Sequence, residues 1–259
     1  MSRILLKYPN SFYSSQTYAR LAYVLEPTST VVLLLPETKN NKAMEAKNIY
    51  NLIILDESGS MTAIERQAVS AMNETIQGIR KAQKSNPDQN YFVTLVVFEG
   101  DGMKGVRTVR DRVPVENVED IKQEEYVPGA CTPLYDAMGL SINNLSKVTK
   151  KDDPVLVTII TDGMENSSSE YSGSDIKQLV SKKRESGWTF AYIGANQDAV
   201  EVARELDIKN ALNFDASEEG TEEMGSILAE STVMFNMAAP KCCMADSDGF
   251  FKKKTGRKK

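Results

Sequence analysis

The sequence predicts an α/β fold: a single Rossmann-like, doubly wound, mostly parallel sheet with helices on both faces and one antiparallel edge strand. Three observations carry this. Short, nearly continuous apolar runs alternate with longer segments whose apolar residues recur every three or four positions, the pattern of strands joined by crossover helices. The strand-like runs, such as Val155-Leu156-Val157-Thr158-Ile159-Ile160-Thr161, lack the in–out alternation of a half-exposed sheet, so both faces are covered. One run, Val106-Arg107-Thr108-Val109-Arg110-Asp111-Arg112-Val113, is charged and follows its predecessor through a Gly-rich turn, which suits an antiparallel hairpin at a sheet edge.

The elements follow in order. Residues 49–55 are β-rich and form the first strand. A helix is predicted over 61–84, where Ile64, Ala68, Met72, Ile76 and Ile79 trace one face. A buried strand over 91–98 precedes the charged edge strand at 106–113. Thr132 at N-cap and Pro133 at N1 are an ordinary helix start, here for 133–148. Strand 155–161 is followed by helix 174–186, strand 188–194, helix 197–206 capped by Asn196, strand 210–214 and helix 218–238. The last helix has Ile227, Leu228, Met234 and Met237 as its apolar set, ordinary packing on the sheet.

Residues 1–43 differ from the rest: Tyr- and Ser-rich, with Pro9, Pro27 and Pro36 and no sustained period. They read as a poorly ordered leader, or as a spurious one with Met44 as the true start. Residues 44–240 form the domain, and 241–259 a basic, disordered tail.

Bulk properties remove several classes. Histidine is absent, which excludes Ser-His-Asp and Cys-His catalysis and His-bearing zinc sites. Three cysteines, two of them the neighbours Cys242 and Cys243, make no disulfide framework, and a reducing cytoplasm fits best. Cys131 reads as a small loop filler. No stretch approaches a membrane span or a signal peptide. Net charge is −5 but uneven: residues 250–259 carry Lys252, Lys253, Lys254, Arg257, Lys258 and Lys259 and no acid, so the body is strongly acidic. An acidic body makes specific nucleic-acid binding unexpected. The tail is suited to touch RNA, an acidic headgroup or an acidic partner, or simply to stay solvated.

Five residues carry the chemistry. Asp56, Ser58 and Ser60 lie in Asp56-Glu57-Ser58-Gly59-Ser60, after the first strand; Thr132 opens a helix; Asp162 follows the 155–161 strand. Singly, each has a plainer role: a strand-end turn, a helix cap, an Asp-Gly turn. Together they supply three hydroxyls and two carboxylates, an all-oxygen set suited to one hard cation, Mg²⁺ or Mn²⁺. With three neutral ligands, the ion keeps positive charge and has reason to take an acidic group from another molecule.

These residues resemble the von Willebrand factor type A family and its metal-ion-dependent adhesion site: Asp56-x-Ser58-x-Ser60, then Thr132, then Asp162 within Thr161-Asp162-Gly163. The likeness spans roughly 47–239 and is nearer the intracellular bacterial branch. It implies hydroxyl coordination by Ser58, Ser60 and Thr132, with Asp56 and Asp162 partly or wholly behind water. It also implies a cytoplasmic protein-binding module whose partner supplies Asp or Glu, an AAA+ ATPase or a stress-response complex being examples.

The competing function is a metal-assisted phosphohydrolase or nuclease, for which Glu57 and Glu165 are the available general bases. Two patterns are set aside. Gly100-Asp101-Gly102-Met103-Lys104-Gly105 matches a dinucleotide loop but leads into a strand, so no helix amino terminus awaits a pyrophosphate. No P-loop is present. Movement of the final helix coupled to the Thr132 loop is a further implication of the resemblance.

Overall fold

The computed structural model describes residues 46–100, 105–195, 199–240 and 249–251. The leader at 1–43, the cap at Asn196, the middle of the Gly-rich turn and Cys242-Cys243 lie outside the described residues.

Six strands form one sheet: β1 (Asn48–Asp56), β2 (Asn90–Phe98), β3 (Val106–Pro114), β4 (Val155–Thr161), β5 (Thr189–Ala195) and β6 (Asn210–Phe214). Their spatial order is β3-β2-β1-β4-β5-β6. All neighbours are parallel except β2 and β3, which pair antiparallel as the charged pattern requires. The β3 register slips twice against β2, between the pairs Val93↔Val113, Leu95↔Arg110 and Val96↔Thr108. Arg112 takes a positive φ of 49° there and its amide donates to Thr94 Oγ1 at 3.1 Å. Such bulges twist an edge away from further pairing.

The helices are α1 (Glu65–Ser85), α2 (Leu134–Ser146), α3 (Gly173–Glu185), α4 (Ala199–Glu205) and α5 (Glu218–Ala238). The predicted 61–84 helix begins as a 3-10 turn, Gly59–Ile64, before α1 proper. Strand residues alternate between two cores. Ile49, Ile53, Leu55, Val93, Leu95 and Ile160 face α1 and α5. Leu52, Ile54, Phe98, Val157, Ile159 and Tyr192 face α2, α3 and α4. Each central strand is therefore covered twice, which is why its sequence shows no polar face.

Helices α1 and α5 approach closely through small residues. A Cβ built on Gly225 would lie 2.8 Å from Ala71 Cβ, and one on Gly78 would lie 2.9 Å from Val233 Cγ2. Helix α5 is also fastened to β1 by a buried reciprocal amide pair: Asn51 Nδ2 donates to Asn236 Oδ1 at 2.9 Å and Asn236 Nδ2 to Asn51 Oδ1 at 2.8 Å. Tyr91 adds a hydroxyl donation to the Asn236 carbonyl at 2.9 Å. Buried polar atoms satisfied in this mutual way fix helix register as well as position.

Two features bear on function. The chain leaves β1 toward β2 on one side and leaves β4 toward β5 on the other, so the carboxyl ends of β1 and β4 flank the point where strand order reverses. In doubly wound sheets that crevice is where ligands bind. Within the stretch expected as tail, Phe250 is buried at 8 % exposure in the α1/α5 core, and Phe251 packs against that core. The amides of Gly249 and Phe250 both donate to Asn210 Oδ1 at 2.9 Å, at the start of β6. No helix among the described residues is long and apolar enough to cross a membrane.

Candidate metal centre

Asp56 is the last residue of β1, and Asp162 directly follows Thr161, the last residue of β4. The two strands are neighbours with Leu55 paired to Ile160, so both carboxylates emerge side by side at the switch point. Thr161 Oγ1 donates to Asp56 Oδ2 at 2.5 Å across the strand ends. Asp56 Oδ1 accepts the Ser58 amide at 2.7 Å, the Asx-type turn that the first motif predicts. That turn swings Ser58 and Ser60 back over the sheet end. Ser58 Oγ and Ser60 Oγ stand 3.1 Å apart, and Ser60 donates to Asp162 Oδ1 at 2.5 Å. Ser60 therefore turns toward the second aspartate rather than capping the helix after it.

Thr132 joins from the other side. A Cβ built on Gly163 would lie 2.8 Å from Thr132 Oγ1 and 3.5 Å from Asp56 Oδ2, so both oxygens border the space that this glycine leaves open. Nor does Thr132 cap α2. The first α2 amides are taken from the 163–172 loop: Tyr135 donates to Glu165 Oε2 at 2.9 Å and Asp136 to Ser168 Oγ at 3.0 Å. All five residues singled out from the sequence thus meet in one place.

Burial sets the electrostatics. It pushes the Asp56 carboxyl up to about 6, against the hydrogen bonds from Thr161 and Ser58, and the nearby Asp162 carboxylate adds to the rise. Asp162 is raised as well, mainly by burial and against the Ser60 hydrogen bond. Two carboxyls that resist ionisation beside one another are what a cation would relieve. The donor set fits a hard divalent ion: all oxygen, no sulfur or imidazole, with hydroxyls beside carboxylates. Among the described residues no group of three or more His, Cys, Asp or Glu is placed to hold a metal ion.

No family profile matches the chain, and no curated protein matches it. Solved structures do. The pilus adhesin SpaC from Lactobacillus rhamnosus GG, in its open conformation, aligns over 73 % of this chain and 30 % of its own, with 13 % identity and a TM-score of 0.55. The PilB minor pilin from Streptococcus sanguinis aligns over 73 % of this chain and 62 % of its own, with 13 % identity and a TM-score of 0.51. A von Willebrand factor type A protein from Catenulispora acidiphila aligns over 75 % of this chain and 43 % of its own, with 15 % identity and a TM-score of 0.49. The chain thus spans less than two thirds of each of these structures. At such identities the likeness concerns the fold, a six-stranded mixed sheet between helical layers.

The two carboxylates singled out as general bases have other work. Glu57 sits between Asp56 and Ser58, yet its fully buried side chain turns away: both oxygens accept from Arg107 Nη2, at 2.7 and 2.8 Å, and Oε1 also accepts the Val127 amide at 2.6 Å. Glu165 accepts from the Tyr135, Ser167 and Ser168 amides and from the Ser168 hydroxyl. Both carboxylates hold loops, and neither is aimed at the Asp56–Asp162 cluster.

Several supporting residues gave no sequence signal. Asn166 brackets Thr132, its Oδ1 accepting the Thr132 amide at 2.9 Å while its own amide donates to the Thr132 carbonyl at 3.2 Å. Asp136 accepts three successive amides, from Ser169, Glu170 and Tyr171, and so anchors the far half of the 163–172 loop. Tyr126 donates its buried hydroxyl to the Asp56 carbonyl at 2.6 Å. Ala130 adopts a positive φ of 52° and presents its carbonyl to the Gly59 amide at 3.2 Å, tying the Thr132 loop to the Ser58–Ser60 turn. Only pairing partners distant in sequence distinguish these residues from ordinary loop or helix positions.

Proposed function

We propose that this chain is a metal-dependent protein-binding module of the von Willebrand factor type A kind, in which Ser58, Ser60 and Thr132, with Asp56 and Asp162, hold one Mg²⁺ or Mn²⁺. The observation that carries the reading is the convergence of those five side chains, from three separate loops, at the switch point of the sheet. The bound ion would supply a positive, geometrically strict docking point for a carboxylate. The chain's own residues supply the rest. Thr161 orients Asp56, Asn166 fixes the Thr132 backbone, and Ser60 links the first loop to Asp162. Met164, 72 % exposed beside Gly163, offers an apolar contact next to that point.

The partner is another protein presenting Asp or Glu; the resemblance suggests a cytoplasmic assembly such as an AAA+ ATPase or a stress-response complex. A hydrolase is disfavoured because Glu57 and Glu165 are committed to Arg107 and to loop amides. The test is affinity capture with the immobilised wild-type chain, with and without EDTA, beside Asp56→Ala and Thr132→Ala. One partner retained with Mg²⁺ and lost in EDTA and in both variants supports the reading. Capture indifferent to EDTA contradicts it.

A further inference from the structure

A groove opens along the outer margin of the sheet, away from the metal centre. Strand β6 is the last strand, and on the α1/α5 face its residues Leu212 and Phe214 lie under the first turns of α5. Helix α5 packs mainly on α1 and is drawn inward by the Gly225–Ala71 approach and the Asn51–Asn236 pair, so it does not close over β6. The gap is a groove of about 550 Å³ lined by Leu212, Phe214, Met224 and Ile227, with Asp215 and Glu223 among its polar lining. Asp215 and Glu223 are exposed, and Glu219 is exposed one turn before Glu223 on α5. The groove is thus apolar at its floor and acidic at its lip.

The chain's only strongly basic stretch starts close to the same strand. Gly249 and Phe250 are tied to Asn210 at the head of β6, Phe250 is buried, and Lys252, Lys253, Lys254, Arg257, Lys258 and Lys259 follow within nine residues. From Asn210 to Phe214 is about 13 Å at the usual rise of a strand. Eight extended residues reach about 26 Å. The tether therefore delivers six cations to an acidic groove well within span. Lysine and arginine suit such a lining, since their methylene stems cover apolar floor while their charged ends stay at the acidic lip.

We propose that residues 252–259 dock along the β6–α5 groove of their own chain, their ammonium and guanidinium groups paired with Asp215, Glu223 and Glu219. The docking is intramolecular because the Phe250 anchor holds the basic stretch at high effective concentration beside the groove. It is electrostatic at the lip, so it weakens with salt. The assignment is independent of the metal centre.

Hydrogen exchange of the full-length chain tests it. Replacing the six tail cations with Gln should speed exchange of the amides in β6 and the first turns of α5 about tenfold, with the rest of the sheet unchanged. The double reversal Asp215→Lys/Glu223→Lys should have the same effect, and changing the tail cations to Glu in that background should restore protection. Exchange rates that ignore the tail's charge overturn the proposal. Carbodiimide crosslinking of mixed ¹⁴N and ¹⁵N protein decides the occupant. Tail-to-Asp215 or tail-to-Glu223 crosslinks within one isotope support it, whereas mixed-isotope crosslinks assign the groove to a second copy and overturn it.

Discussion

Thr161 donates its hydroxyl to Asp56 Oδ2 at 2.5 Å, joining the ends of two neighbouring parallel strands. The bond fixes one carboxylate oxygen of a buried acid whose other oxygen is fixed by the Ser58 amide. Thr161→Val keeps the shape and removes the donor. A buried polar group left short of a partner costs about 1–3 kcal/mol. The variant is expected to melt several degrees lower and to bind Mn²⁺ about tenfold more weakly, the usual order for loss of an orienting neighbour. Thermal melting and metal titration check it; unchanged Mn²⁺ affinity would mean that Thr161 does not orient Asp56.

Gly163→Ala is a steric probe of the same site. The added methyl would lie 2.8 Å from Thr132 Oγ1, so that hydroxyl must move. Because Gly163 is not among the glycines with positive φ, its backbone accepts alanine. The expectation is a folded protein, within about 1–2 kcal/mol of wild type, with metal affinity reduced at least as far as in Thr132→Ala. Equal affinities in Gly163→Ala and wild type would place Thr132 outside the coordination shell.

Arg107→Met tests the buried acid behind the site. It would strand Glu57, fully buried, with only the Val127 amide as support. Breaking a buried pair costs about 3–5 kcal/mol, and because Arg107 is 35 % exposed we expect a smaller loss, about 2–3 kcal/mol by denaturant unfolding. Replacing both members, Glu57→Gln with Arg107→Met, should recover part of that loss. A double variant weaker than the sum of the single ones would contradict the pairing.

The pH dependence of the adjoining loop follows from Glu125. Hydrogen bonds from Arg110 to both of its oxygens, at 2.8 and 3.1 Å, hold its carboxyl below the ordinary glutamate value, with help from the Lys122 amide. A depressed folded value means that the pair stabilises the fold above the unfolded glutamate pKa and that this stabilisation disappears as pH falls through the folded value. Arg110→Met should therefore move the Glu125 midpoint upward in an NMR titration. An unmoved midpoint would remove Arg110 as the cause.

The sheet was legible because its signal is local. Apolar runs without a polar face announced buried parallel strands, and the charged Val106–Pro114 pattern announced the edge. The five oxygen-bearing residues were legible because each sits at a strand or helix end, where the fold itself brings them together. What stayed hidden depends on long-range pairing. Nothing in Glu57 says that it turns toward Arg107, fifty residues on, and nothing in Glu165 says that it serves the α2 amides. Phe250 was obscured by the six cations after it, because a charge run reads as solvated chain while the contact that buries Phe250 lies with residues distant in sequence.

The most direct test of the proposed metal centre is a Mn²⁺ titration of the purified chain, followed by isothermal calorimetry or by loss of the free-ion paramagnetic signal. One ion per wild-type chain, with uptake abolished in Asp56→Ala and Asp162→Ala while both variants remain folded, is the predicted result. No uptake by the wild type at millimolar Mn²⁺ or Mg²⁺, or uptake undiminished in both variants, would contradict it.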